Sequence, residues 1–242
     1  MKALILVLFL LLRGQLFAQE ASQAVKVNIG VVYSEKRLYR GALIWDAPIM
    51  AAGPSFIFYN TVSLGQGGLS VFRKFADYHT VTLGASHFDD HKPSGPVLKL
   101  KESEEDFKNK RQSTYGTYLK YDFKLKQYLA MALSYHKDLK RNKGNYLNGK
   151  ISTSIIPFLT LGSGLDLGDA ASNKYAYGPE GVSGVGHLDN FASISLPFLP
   201  WKGKLMINYN YLIIVHGENK NADFVRGNDT NSNFSVIASW SF

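Results

Sequence analysis

The stretch NFSVIASWSF, residues 233–242, alternates between two kinds of side chain. Successive side chains of a β-strand point to opposite sides, so every second residue shares a face. One face would be mainly small and polar, with serine at positions 235, 239 and 241. The other would carry the apolar residues Phe234, Val236, Ala238, Trp240 and Phe242. This pattern predicts a strand between two different environments, which occurs in soluble sandwiches and in membrane barrels.

The other end of the chain favours export. Residues 1–18, MKALILVLFLLLRGQLFA, combine a charged start at Lys2, an apolar run over 3–12 and a small residue at Ala18. This order predicts a cleaved signal peptide over 1–18 and a mature domain over 19–242. No later stretch reaches the roughly 18 consecutive apolar residues that a membrane helix needs. A mature chain in a membrane must therefore be a closed β-barrel, which leaves no unpaired strand edge in lipid.

Composition agrees with an exported all-β protein. The chain has 27 Lys and Arg against 19 Asp and Glu, a formal net charge of +8, and no cysteine, so disulfides are excluded. A basic exported protein is expected to meet outer-membrane lipid and lipopolysaccharide, and nucleic acid is not an expected partner. The 14 Tyr and 15 Phe suit two interfacial belts.

Alternating segments recur along the mature chain and predict a single-domain, antiparallel transmembrane β-barrel of twelve strands. The short third segment is the one on which the even number depends. The predicted strands are 25–33, 54–59, 61–66, 68–75, 79–88, 115–123, 128–136, 148–156, 158–168, 188–198, 204–215 and 233–242.

Short and long connections alternate from residue 88 onward. Outer-membrane barrels have short periplasmic turns and long external loops, so this sorting predicts the cell outer membrane, with both mature termini at the periplasmic end. Short connections are predicted at 124–126, at Pro157 and at 200–203, and long ones at 34–50, 88–110, 138–147, 168–187 and 216–231. In this setting the terminal strand looks like the signal by which barrels are recognised by their assembly machinery.

Several short motifs extend the interpretation to a family. They are Tyr39-Arg40-Gly41, Pro48, GQGGLSVF (65–72), Asp89-Asp90, Tyr175-Ala176-Tyr177-Gly178 and Phe242. In this order the chain resembles the MipA/OmpV family of outer-membrane proteins, although Pro179 departs from the small apolar residue usual after Gly178. The resemblance implies a non-enzymatic scaffold or interaction protein, which binds a periplasmic murein hydrolase or synthase, or a surface ligand.

No catalytic, cofactor or metal site is predicted. Ser134 and His136 share a strand face, but no carboxylate that would orient the imidazole stands out. Asp89-Asp90-His91 are three adjacent residues that cannot easily converge on one ion, so a solvated loop tip is favoured. A barrel-embedded lipid hydrolase therefore ranks third among the functions considered.

The polar inner face supports the alternative function, a narrow channel for small polar solutes. Lys120 and Asp122 share the inward face of one strand, and Asp166 faces inward from another as a candidate partner for Lys120. A buried charge needs such a partner or water. Small inward residues favour an open passage, whereas tyrosines or an inward-folded loop would close it, and the sequence leaves both open.

Replacing Phe242 with lysine is expected to lower the amount of assembled protein far more than replacing Ser241 with lysine. Only the first change breaks the apolar alternation of the terminal strand. Heat-modifiable migration of outer-membrane fractions on a gel measures the assembled fraction. Equal assembly of the two variants would contradict the signal interpretation.

Overall fold

A computed structural model describes residues 25–45, 47–65, 68–75, 77–88, 97–99, 114–125, 128–225 and 228–242. The predicted signal peptide and the Asp89-Asp90-His91 stretch lie outside these residues. The strands are β1 Val25–Ser34, β2 Arg37–Tyr39, β3 Ala42–Trp45, β4 Ile49–Phe58, β5 Val62–Gly65, β6 Gly68–Phe75, β7 His79–Phe88, β8 Val97–Lys99, β9 Thr114–Leu125, β10 Leu129–Asp138, β11 Asn145–Ile156, β12 Leu159–Gly168, β13 Gly184–Leu199, β14 Gly203–Ile214 and β15 Thr230–Ser241. Two short helices, α1 Ala170–Tyr177 and α2 Gly217–Asn221, lie in the connections.

Twelve of these strands form a closed antiparallel barrel. The order runs β1-β15-β14-β13-β12-β11-β10-β9-β7-β6-β5-β4, and the ring closes because β1 also pairs with β4. The predicted twelve-stranded barrel is therefore confirmed. Within the described residues, no helix has the length and apolar character needed to cross a membrane.

The strand boundaries differ most from the prediction at β4 and β13. β4 begins at Ile49, where the prediction began at residue 54. Ala51, Ala52 and Gly53 pair with β1 but have no apolar and polar alternation that would reveal a strand. β13 spans 16 residues, because it continues past both ends of its alternating segment.

The two faces of the barrel wall have opposite character. The outer face carries large apolar side chains that are 37–49 % exposed, such as Leu119, Leu133, Ile151 and Leu165. The inner face alternates with it and is mostly polar or small. In β12, for example, Thr160, Gly162, Gly164 and Asp166 separate outward leucines. Such a wall has apolar surroundings outside and polar contents inside.

The connections are sorted between the two ends of the barrel. One end, the short end, has the connections of two or three residues, at 59–61, 76–78, 126–128, 157–158 and 200–202. The other, the long end, carries the longer connections, including those that contain α1 and α2, and also the two-residue connection from β5 to β6. The predicted long connection at 138–147 is only 139–144, because β10 and β11 extend further than their alternating segments.

The wall is lower beside β4. β5 has only four residues and covers Ser55 to Phe58, so the other half of β4 lacks a neighbour from β5. β8 pairs with Ile49, Met50 and Ala51 and completes this part of the wall. The sequence did not predict β8, which lies in the long connection 89–113.

The first long connection folds back as a hairpin of β2 and β3, here called the inner hairpin. Its turn residues Arg40 and Gly41 have φ of 50° and 87°. Two positive φ values between directly paired residues, Tyr39 and Ala42, are typical of a type I′ turn. Ala42 and Ile44 are 0 % and 3 % exposed, so the hairpin is packed into the protein.

Candidate functional site at the inner hairpin

The tip of the inner hairpin is held by a buried ion pair between Arg40 and Asp166. Arg40 Nε donates to Asp166 Oδ1 at 3.0 Å, and Nη2 donates to the same oxygen. Arg40 Nη1 donates to Ser172 Oγ at 2.7 Å, and Nη2 donates to Asn173 Oδ1 at 2.9 Å. The two charged side chains are only 4 % and 2 % exposed. Asp166 lies on the barrel wall in β12, so this pair joins the hairpin to the wall.

The guanidinium stays charged although it is buried. Burial alone lowers the pKa of Arg40, but the charge of Asp166 and the hydrogen bonds to it outweigh burial, and the net pKa is raised. The guanidinium carbon also lies 4.6 Å from the ring centre of Tyr146 and 5.7 Å from that of Tyr177, within cation–π range. A buried, paired cation is therefore surrounded by aromatic rings.

The backbone of the hairpin turn is held as firmly as its side chain. Tyr177 Oη donates to the Arg40 carbonyl at 3.0 Å, and Asn231 Nδ2 donates to the Gly41 carbonyl at 2.8 Å. A Cβ added at Gly41 would lie 3.2 Å from the His187 Cβ and 3.3 Å from the Ile214 Cγ1. Glycine at position 41 thus serves both the positive φ and the close approach to the wall.

Loop residues that the sequence marked as family-like converge on this site. Tyr39 and Tyr175 pack edge to face with ring centres 5.9 Å apart. Tyr177 is fully buried, and Gly178 caps the end of α1 with φ 126°. Tyr39 therefore meets α1 in space, although most of the chain separates the two in sequence, and Gly41 lies against β13, β14 and β15.

The predicted lumenal charges divide between two ion pairs. Asp166 binds Arg40, so the proposed pairing of Asp166 with Lys120 is wrong. Lys120 binds Asp122 on its own strand, with Nζ 2.8 Å from Oδ1. The sequence did not suggest Arg40 as a partner, because a loop cation has no register with a strand.

Helix α1 positions two of the groups that contact Arg40. Asp169 caps the helix by accepting from Ser172 N at 2.8 Å, and its Oδ2 accepts from Asn145 N and Nδ2 at 2.8 and 2.7 Å. Burial alone raises the pKa of Asp169, but these hydrogen bonds and the charge of Lys137 lower it overall. Asp169 therefore links the start of β11 to helix α1, which contacts Arg40.

A polar cavity, here called the inner chamber, lies beside the hairpin with a volume of about 350 Å³. The Lys150–Asp189 ion pair on its wall has Nζ 2.9 Å from Oδ2. The chamber is lined by hairpin-side and wall residues: Ser34, Lys36, Arg37, Leu38, Ile49, Lys150, Asp189, Asn210, Leu212 and Asn233. Its volume is at the lower end of the range for small-molecule sites, roughly 300–1,000 Å³.

Ser134 and His136 are in contact but lack the third member of a catalytic triad. His136 Nε2 lies 3.0 Å from Ser134 Oγ. The imidazole stacks on Tyr146 at 4.3 Å and on Tyr118 at 5.6 Å, and none of the hydrogen bonds in the described part of the chain joins it to a carboxylate. No group of three or more potential metal ligands is found among the described residues.

Five residues of the site are not singled out by the sequence: Tyr146, Ser172, Asn173, His187 and Asn231. The helix around Ser172 and Asn173 begins with an Asp cap, which is a recognisable signal, but its eight residues show no apolar period that predicts a helix. Tyr146, His187 and Asn231 lie before the predicted starts of their strands, where no alternation marks them.

The residues of the predicted assembly signal lie on β15 and just beyond it. Phe234, Val236 and Ala238 point outward, and Trp240 Nε1 donates to the Pro200 carbonyl at 3.0 Å. The Phe242 backbone exchanges two hydrogen bonds with Val27 of β1, at 2.9 and 3.0 Å. These positions are on the strand that closes the ring, and their role in assembly stays a prediction.

Comparisons with known proteins give structural neighbours only. No family model and no curated protein matches the chain. The KdgM porin is 13 % identical with a TM-score of 0.45, over 90 % of this chain and 99 % of the porin. The NanC porin is 14 % identical with a TM-score of 0.44 over the same shares. An outer membrane channel from Pseudomonas putida F1 is 10 % identical with a TM-score of 0.40, over 92 % of this chain and 97 % of the channel. Membership of the MipA/OmpV family stays a prediction.

Asp166→Asn is expected to loosen the inner hairpin without unfolding the barrel. The substitution leaves the buried Arg40 without a counter-charge, which costs about 3 kcal/mol. Hydrogen exchange of amides 37–45 should become faster, while exchange in β13 and β14 stays slow. The matched control is Asp229→Asn, because the Lys220–Asp229 pair is at the same end of the barrel but is about a third exposed. Equal exchange in the two variants would contradict the anchoring role of Asp166.

Helix α1 is expected to lose stability in acid through Asp169. Because the pKa of Asp169 is lower in the folded protein, its stabilising effect is present above the ordinary pKa and is lost as the pH falls through the folded value. Hydrogen exchange of residues 170–177 should therefore accelerate below about pH 4, after correction for intrinsic exchange. An Asp169→Asn variant should be less stable at neutral pH and lack this pH dependence. Persistence of the full effect in that variant would assign it to another group.

Proposed function

We propose that this protein is a narrow outer-membrane channel for small polar solutes, constricted by its inner hairpin. The observation that carries the proposal is the inner chamber, a polar space inside a closed barrel. The interior of a transmembrane barrel is polar whether it is open or plugged, so the open space, and not polarity alone, supports transport. Here the chamber wall keeps Lys150, Asp189 and Asn210 beside open space.

The size of the passage depends on the inner hairpin. The hairpin starts beside β1 and reaches Asp166 on β12, four places around the ring. Its residues Arg37 and Leu38 line the chamber, together with Lys36 just before it. A loop that narrows a barrel lumen limits transport to small solutes, as constriction loops do in larger pores.

The outer-membrane location is supported by the outer wall. Its exposed aliphatic side chains, such as Leu119 and Ile151, suit a lipid environment. The predicted signal peptide supports export to that membrane.

The scaffold function remains a prediction that depends on the MipA/OmpV resemblance. No surface of the described residues identifies a murein enzyme as partner. The lipid hydrolase has less support, because His136 has no orienting carboxylate in the described structure.

Recording in planar bilayers tests the channel. The purified protein is expected to show small, stable unitary conductance. Replacing the inner hairpin, 37–45, with a short Gly-Ser linker should raise the conductance about twofold or more, because it widens the constriction. Asp166→Asn should increase the frequency of larger openings.

The control for these recordings is Asp229→Asn, which changes a partly exposed ion pair in the connection between β14 and β15. Its conductance should equal that of the unmodified protein. Absence of conductance in both the correctly folded protein and the linker variant would contradict the channel. The scaffold function would then be favoured.

A further inference from the structure

Four lysines share the inner face at the short end of the barrel. They are Lys26 on β1, Lys74 on β6, Lys124 on β9 and Lys204 on β14. Each is the second or penultimate residue of its strand, next to the short-end terminus. At a rise of about 3.3 Å per residue, all four lie within one or two residues of the same mouth.

Strand register places these lysines inside. Residues separated by an even number of positions on a strand share a face. Lys124 therefore faces the same way as Lys120 and Asp122 on β9. Lys204 faces the same way as Asn210 on β14, which lines the inner chamber. Lys26 is on the same face of β1 as Ser34, which lines the inner chamber. Lys74 pairs with Thr80, which pairs in turn with Asp122, so the fourth lysine faces the same way. Directly paired residues of antiparallel strands share a face.

The carboxylates of the inner face do not neutralise these lysines. Asp122, Asp166 and Asp189 are each bound to another cation, namely Lys120, Arg40 and Lys150. The remaining inner carboxylate, Asp138, lies at the long end, where Oδ1 accepts from the backbone amides of residues 140–143. Each negative charge on the inner strand face therefore has a partner already.

The four lysines, by contrast, form no ion pair within the described part of the chain. Lys74, Lys124 and Lys204 are exposed and Lys26 is partly exposed, so their ammonium groups are in contact with solvent. Among the described acidic residues, Asp77 lies at this end of the barrel, in the connection after β6. It forms no ion pair with Lys74. The mouth thus carries an excess of positive charge, four inner lysines against Asp77.

We propose that this lysine mouth makes the channel selective for small anions, carboxylates and phosphates included. The inference depends on the proposed channel function and names its substrate class. A ring of like charges at a pore mouth raises the local concentration of counter-ions and repels co-ions. The effect extends about 8 Å at physiological ionic strength, so it is strong in a narrow pore and weak in a wide one.

The test is the reversal potential of the full-length protein in a planar bilayer under a potassium chloride gradient. The unmodified channel is expected to favour chloride over potassium about threefold or more, and increasingly at lower salt. The variant with Lys26, Lys74, Lys124 and Lys204 all changed to Gln should lose this preference. Changing the same four residues to Glu should reverse it.

The matched control is Lys202→Gln, which removes a lysine from the turn at the same end but not from the inner face. It should keep the anion preference. Heat-modifiable migration verifies that each variant is folded, and single substitutions Lys124→Gln and Lys204→Gln, with partial losses, replace the fourfold variant if that one does not fold.

The outcomes separate the two proposals. A conducting, folded protein that is non-selective or prefers potassium overturns the anion selectivity but keeps the channel. Loss of selectivity in Lys202→Gln equal to that in the fourfold variant also overturns the role of the mouth. Absence of conductance in every variant contradicts the channel itself.

Discussion

The Arg40–Asp166 ion pair is the interaction on which the interior of this barrel depends. A closed wall of twelve strands can enclose water, a plug or both, and the wall alone does not decide between them. The pair settles the position of the inner hairpin by joining a loop residue to β12 beneath α1. Removing either charge would leave the other buried without compensation, which is why the pair can hold the tip of the hairpin against the wall. The chamber lies beside the hairpin that this contact holds in place.

The barrel itself follows from features that are visible in the sequence. Alternation with a period of two predicted all twelve wall strands, including the short β5 on which the even number depends. The sorting of connections predicted which end of the barrel would carry the long loops. These signals are strong because the alternation of apolar outward residues and polar inward residues repeats along each strand and from one strand to the next. Boundaries were less accurate wherever small residues interrupt the alternation, as Ala51, Ala52 and Gly53 do in β4.

The interior was harder to predict for a physical reason. The hairpin carries an apolar run, Ala42 to Trp45, and Ala42 and Ile44 are buried, but so short a run in a long connection does not indicate which surface it packs against. Tyr39 and Gly41 were noticed as members of a motif, but the partner of their neighbour Arg40 is 126 residues away and belongs to another element. Asp166 was assigned to the inner face correctly by alternation, yet alternation names no partner. Only the three-dimensional arrangement joins the two.

The same hairpin has a consequence for how the molecule is put together. β1 and β15 are the first and last wall strands, and their pairing is the seam that completes the ring. Directly above that seam, Ser34 Oγ and Lys36 N both donate to Asn233 Oδ1 at 3.1 Å, and Asn231 holds the Gly41 carbonyl. The hairpin follows β1 after only two residues, so its tip reaches the β12 and β15 side only when the first strand has met the last. It therefore acts as a latch across the seam, and insertion of the constriction and completion of the cylinder become one cooperative event.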